Sequence, residues 1–133
     1  MFAACTRGVE VTPPSGAAGA ACRAAAARWP TKVGRAERVT TTPESPGTAA
    51  WGDPALIARC GLAPLTPTTE DCLGVDGVDW VVRRLRDGAS FTTYGTDPAL
   101  EVLIPAAYVP EPTLLPAFGA AARALPQNGR HCS

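Results

Sequence analysis

The chain has 133 residues, with twelve basic and twelve acidic side chains that cancel in formal charge. That length suits one domain with a modest core. No basic face emerges, which argues against nucleic-acid binding, and no run approaches the roughly 18 apolar residues that a membrane-spanning helix needs.

Five cysteines, Cys5, Cys22, Cys60, Cys72 and Cys132, punctuate the sequence. Cys5 ends the run Phe2-Ala3-Ala4-Cys5, where small residues before a cysteine read as the end of a lipoprotein signal and make Cys5 a candidate lipidation site. With only four residues before it, the start reads as a late or a trimmed one. Residues 1–18, with Thr, Pro, Ser and Gly after Cys5, read as a signal remnant and flexible tether, within which Val9-Glu10-Val11 suits a short edge strand. A single domain is expected over 19–133.

A first helix is predicted over about 19–29, where Cys22, Ala25, Ala26 and Trp29 recur at helical spacing until Pro30. Thr/Val-rich 35–42 reads as a strand, 41–47 as a loop, and 55–60 as a short apolar strand after the Gly52-Asp53-Pro54 turn. Val78–Leu85 and Ala89–Tyr94 flank Asp87-Gly88 and read as a hairpin. Its first arm puts Trp80 and Val82 on one face and Asp79, Val81 and Arg83 on the other. A third strand, 100–104, ends at Pro105, and Leu114, Leu115, Phe118, Ala121, Ala122 and Leu125 form the stripe of a helix over 113–125. The fold class expected is α+β: a two-layer sandwich of a mostly antiparallel sheet of four to five strands with an N-terminal and a C-terminal helix.

Cys22, Cys60, Cys72 and Cys132 allow three pairings. The favoured one is Cys22–Cys132, tying the two ends, with Cys60–Cys72 closing the Pro/Thr-rich loop between them. Zinc is disfavoured, because no C-x2-C or paired Cys/His spacing occurs. No metal or other cofactor is expected, and the glycines form no phosphate-binding loop.

Asp53, Asp76, Asp79, Asp97 and Glu101 lie at turns or strand ends, and two of them close together would suit a glycan-cleaving enzyme. Asp53 and Asp97 each precede proline, an ordinary turn signal. His131 sits in a polar tail, a poor mount for a catalytic base. Arg83, Arg84 and Arg86 read as a solvated strand end. Trp29 and Trp80 read as core, whereas Trp51 and Tyr94, with Asp53 and Asp79 nearby in the pattern, are the candidate binding residues, since exposed aromatics can stack on a sugar or a partner.

The blocks WGDPALIARCG (51–61), VDGVDWVV (75–82), FTTYG (91–95) and ALEVLIPAAY (99–108), with Cys22 upstream and Cys132 at the end, resemble the actinobacterial "domain of unknown function 3515" family over roughly residues 9–133. An arginine-rich, alanine-rich composition fits the GC-rich coding of such a source. The resemblance implies a secreted protein or lipoprotein. The function expected is an extracytoplasmic envelope protein, lipid-anchored or secreted and monomeric, whose domain binds an envelope protein or cell-wall component or serves as an accessory. Its membrane contact would be through the lipid only. The alternative is a wall-glycan enzyme with a carboxylate pair.

Overall fold

A computed structural model describes residues 8–132. In chain order the described elements are β1 (Val9–Glu10), α1 (Ala20–Ala26), β2 (Lys32–Val33), β3 (Ala36–Val39), β4 (Thr41–Thr42), β5 (Thr48–Trp51), β6 (Leu56–Leu62), β7 (Cys72–Val75), β8 (Val78–Leu85), β9 (Gly88–Tyr94) and β10 (Ala99–Pro105). Two 3-10 stretches, Ala106–Tyr108 and Glu111–Phe118, then lead into α2 (Gly119–Arg123).

The fold is α+β, as expected, but the sheet is larger than four to five strands. Eight strands pair antiparallel in the order β2-β3-β5-β6-β10-β9-β8-β7, and β1 and β4 form a separate parallel pair. The strands that escaped the sequence reading are β2, β5 and β7. β5 (TAAW) is buried at every position, so it carries no alternation of polar and apolar residues. β7 (CLGV) is a short edge strand with a glycine in it. Asp76-Gly77 joins β7 to β8, with Val75 opposite Val78. The β8–β9 hairpin is as predicted, except that its turn residues are Arg86 and Asp87, with Leu85 opposite Gly88.

Both helices contribute to one core on one sheet face. Cys22 and Ala25 of α1, with Leu115, Phe118, Ala121, Ala122 and Leu125 from the C-terminal segment, meet Trp51, Leu56, Cys60, Trp80, Phe91, Leu100, Val102 and Ile104. The predicted C-terminal helix is α-helical only at its end. Pro116, inside the segment, lacks the N–H that an α-helical ladder uses, and the stretch around it is 3-10.

Trp51 sits at the centre of this layer, fully buried. Its ring meets Phe118 edge-on at 5.3 Å and Trp29 at 6.1 Å, and its Nε1–H donates to the Pro30 carbonyl at 2.9 Å. Trp80 is likewise core, and Trp29 packs partly buried against it. The edge-on aromatic contacts stabilise beyond what their buried area contributes.

The stretch read as tether instead joins the fold from Gly8 onward. Val11 and Ala17 are buried, Val9 and Val11 donate to the Thr40 and Thr42 carbonyls, and Gly16 N–H donates to the Gly61 carbonyl at 3.1 Å. Gly61 has φ 112°, and a Cβ there would run into the backbone of Gly16 and Ala17.

The cysteine pairing differs from the favoured one: Cys22 bonds Cys60, and Cys72 bonds Cys132. The physical reason is where the tail ends. β6 and β7 lie four places apart in an antiparallel sheet and so run parallel, which sends residues 63–71 across β10, β9 and β8 rather than back on themselves. Cys60 therefore lies under α1 while Cys72 lies at the far edge, beside the chain end. In chain-entropy terms each bridge stabilises by about 4 kcal/mol.

Non-reducing peptide mapping is expected to recover Cys22–Cys60 and Cys72–Cys132. Limited dithiothreitol should open Cys72–Cys132 first, because Cys72 is exposed while Cys22 and Cys60 are fully buried. A Cys22–Cys132 peptide would contradict this architecture. Gly61→Ala is expected to destabilise by about 2–3 kcal/mol in urea unfolding, through positive φ and backbone collision together. A loss below about 0.5 kcal/mol would place it with ordinary surface changes.

Candidate functional site

The four candidate binding residues do not come together. The register puts Leu56, Ile104, Ala89 and Arg84 in one row across the sheet, and Asp53 lies beyond that end. Asp79 and Tyr94 face each other at the opposite end of β8 and β9. Trp51, with no exposed surface, cannot stack on a ligand, which corrects the sequence reading. Asp53 is exposed and lines a different cavity with Arg38, Val39 and Thr40.

Asp79 and Tyr94 lie together, and beside them is His131, which the sequence reading set aside. The C-terminal segment runs back along the sheet end: Asn128 N–H donates to the Gly95 carbonyl at 2.9 Å, and Gln127 bridges to Thr96. Gly95, at φ 102°, permits this, since a Cβ there would collide with the Arg130 carbonyl. The Cys72–Cys132 bridge fastens the segment to β7. Asp79 Oδ2 accepts from Cys132 N–H at 2.9 Å and lies 3.6 Å from His131 Nδ1. The carboxylate thus organises the tail, while the imidazole stays 78% exposed.

Two cavities meet at Tyr94 and His131. One, of about 290 Å³, is lined by Asp79, Thr96, Arg123, Gln127 and Arg130 as well as by those two. The other, of about 520 Å³, lies under the crossing loop, against Pro67, Thr68, Glu70, Asp71 and the Cys72–Cys132 bridge. Tyr94 is half-buried between them. The sequence signal for His131 and Arg130 was weak, because a polar tail next to a terminal cysteine acquires a position only when that cysteine finds its partner.

The crossing loop is anchored by charge. Glu70 takes two hydrogen bonds from Arg83, Nε to Oε2 at 2.7 Å and Nη2 to Oε1 at 2.8 Å. This contact holds the Glu70 carboxyl below its ordinary range and pushes Arg83 further up. Val81, on the face away from the helices, is buried. Arg84 reaches Glu111, whose side chain is almost fully buried, at 3.2 Å. The Arg83-Arg84 run is therefore engaged with carboxylates rather than simply solvated.

Asp53 and Glu101 are held apart. Glu101 accepts from Arg59 at 2.9 Å across β6–β10. At about 3.3 Å per residue, its row lies about 10 Å along the sheet from the Leu56 end near Asp53, and no described cavity holds both. Among the described residues no group of three or more His, Cys, Asp and Glu could hold a metal ion. Cys5 lies outside the described residues.

Fold and site together define a disulfide-bonded α+β domain with a polar cleft where its C-terminal segment crosses the sheet end. The family described as "Protein of unknown function (DUF3515)" matches residues 5–128, and the chain belongs to it. No curated protein and no solved structure gives a significant match. Among the described residues no helix is long and apolar enough to cross a membrane, and the two disulfides are compatible with an extracytoplasmic domain.

The Glu70 carboxyl is expected to titrate below the ordinary carboxylate range. Because its folded value is depressed, the stabilisation from the Arg83 contact is full above the unfolded value and is lost as pH falls through the folded one. Arg83→Gln should return Glu70 to the ordinary range in a carboxyl-carbon NMR titration. Superimposable curves for the two proteins would show that the contact does not form.

Proposed function

We propose that this chain is a non-enzymatic binding domain of the cell envelope, monomeric, exported and held to the membrane by a lipid on Cys5, which takes a cell-wall component or envelope protein in the cleft of Asp79, Tyr94 and His131. The observation that carries this reading is the meeting of two cavities at Tyr94 and His131, over a chain end fastened by the Cys72–Cys132 bridge. A disulfide and a carboxylate that hold a tail in one place pre-organise the side chains it carries, which lowers the ordering cost of binding. Export is supported by the two disulfides, which persist in oxidising compartments. Lipidation is supported by the residues before Cys5.

Protein recovered from membranes of its native host should carry a diacylglyceryl adduct on Cys5 by intact mass. In co-sedimentation with purified wall material or reconstituted envelope partner, Tyr94→Ser should weaken retention about tenfold, a loss of about 1.4 kcal/mol. Asp53→Ala, at the opposite sheet end, should leave it unchanged. Equal retention of wild type and the Tyr94 variant would remove the cleft from the function.

A further inference from the structure

Resting on that reading of the cleft, we infer that its ligand carries an oxyanion, a phosphate or a carboxylate, on a hydroxyl-bearing body about the size of one sugar ring. Three cation-capable side chains line the smaller cavity: Arg123 from the end of α2, and Arg130 and His131 from the tail. Asp79 is the one carboxylate among the residues lining it. Its Oδ2 already accepts the Cys132 N–H and faces His131.

The two arginines are oriented without being neutralised. Arg123 Nη1 donates to the Asp76 carbonyl at 3.1 Å, and Arg130 Nη1 donates to the Leu65 carbonyl at 3.3 Å. Neither forms an ion pair with a described carboxylate, whereas Arg59, Arg83 and Arg84 each do. A guanidinium has five N–H donors in a planar fork suited to carboxylate and phosphate, so one backbone contact fixes its direction and leaves the rest to offer. The carboxylates of the neighbouring cavity, Glu70 and Asp71, lie toward the crossing loop, and Glu70 is already paired with Arg83.

The remaining groups supply the second half of the recognition. Asp79 Oδ1 and Gln127 Oε1 make no hydrogen bond within the described chain and can accept from hydroxyls, while Gln127 Nε2 is held by the Leu125 carbonyl at 3.0 Å. The half-buried Tyr94 ring offers a face for stacking, and Val78 and Ala122 supply apolar wall. At about 290 Å³ the cavity lies at the small end of ligand sites. A bare inorganic ion would leave the hydroxyl acceptors unused, and a neutral sugar would leave the guanidinium groups uncompensated.

The test is an amide NMR titration of the full, oxidised chain with glucose 6-phosphate, glucuronate, glucose and inorganic phosphate. Both charged sugars are expected to shift Tyr94, Arg123, Arg130 and His131, and to bind at least about tenfold more tightly than glucose. If only one of the two binds, the inference stands and the oxyanion is identified as phosphate or carboxylate. Arg123→Gln and Arg130→Gln should each weaken the charged probes with amide dispersion unchanged, and Arg38→Gln, outside the cleft, should not. Glucose binding as tightly as the charged sugars, or a double Arg123→Gln/Arg130→Gln variant binding them like wild type, would overturn the inference. If no charged sugar binds while wall or partner retention still depends on Tyr94, the oxyanion assignment fails and the cleft stands. Charged sugars shifting residues elsewhere, with retention indifferent to Tyr94, would sink both.

Discussion

Cys22 and Cys60 join the first helix to the middle of the sheet, and both are fully buried. The helices need such a fastening. α1 has seven residues and α2 has five, far below the length at which an isolated helix holds in water. They exist because the sheet face beneath them must be covered and because one of them is covalently attached to it. Trp51 completes the joint: it lies on β5, contacts Phe118 from the C-terminal segment, and donates to the carbonyl of Pro30 just after α1. A side chain that serves three elements at once has no surface left for a ligand.

The second bridge works at the opposite extreme of burial. Cys72 is exposed on the edge strand, and its bond to Cys132 converts a polar tail into one wall of a cleft. Asp79 accepts the Cys132 N–H and so holds the last turn of chain against β8. One disulfide therefore builds the core, and the other positions the side chains on which the binding proposal rests. The loop between them is directed by topology: β6 and β7 run parallel, and the crossing segment is pinned by the two-pronged Glu70–Arg83 contact.

The legible parts of the fold are those whose signal is local. The β8–β9 hairpin and β10 show alternation next to a turn, and β9 pairs with its sequence neighbours on both sides. β5 was not legible because a strand buried on both faces shows no period. Of the helical stripe over 113–125, Leu115, Phe118, Ala121, Ala122 and Leu125 are core and Leu114 is partly buried against it, though proline made much of that segment 3-10. Of the candidate binding residues, Asp79 and Tyr94 line one cavity while Trp51 is buried, and an aromatic beside a turn reads the same whether it points inward or outward.

The sequence by itself determined the family, the α+β class, the presence of two disulfides from four cysteines, the main hairpin and most of the core. Those follow from composition, spacing and short-range pattern. Only the tertiary structure decided which cysteines pair, that residues from Gly8 onward belong to the fold, and that Arg123, Arg130 and His131 gather around Asp79 and Tyr94. Each of these depends on contacts between distant segments, whose partners are chosen by strand order and by the path of the crossing loop, and neither leaves a periodic trace in the chain.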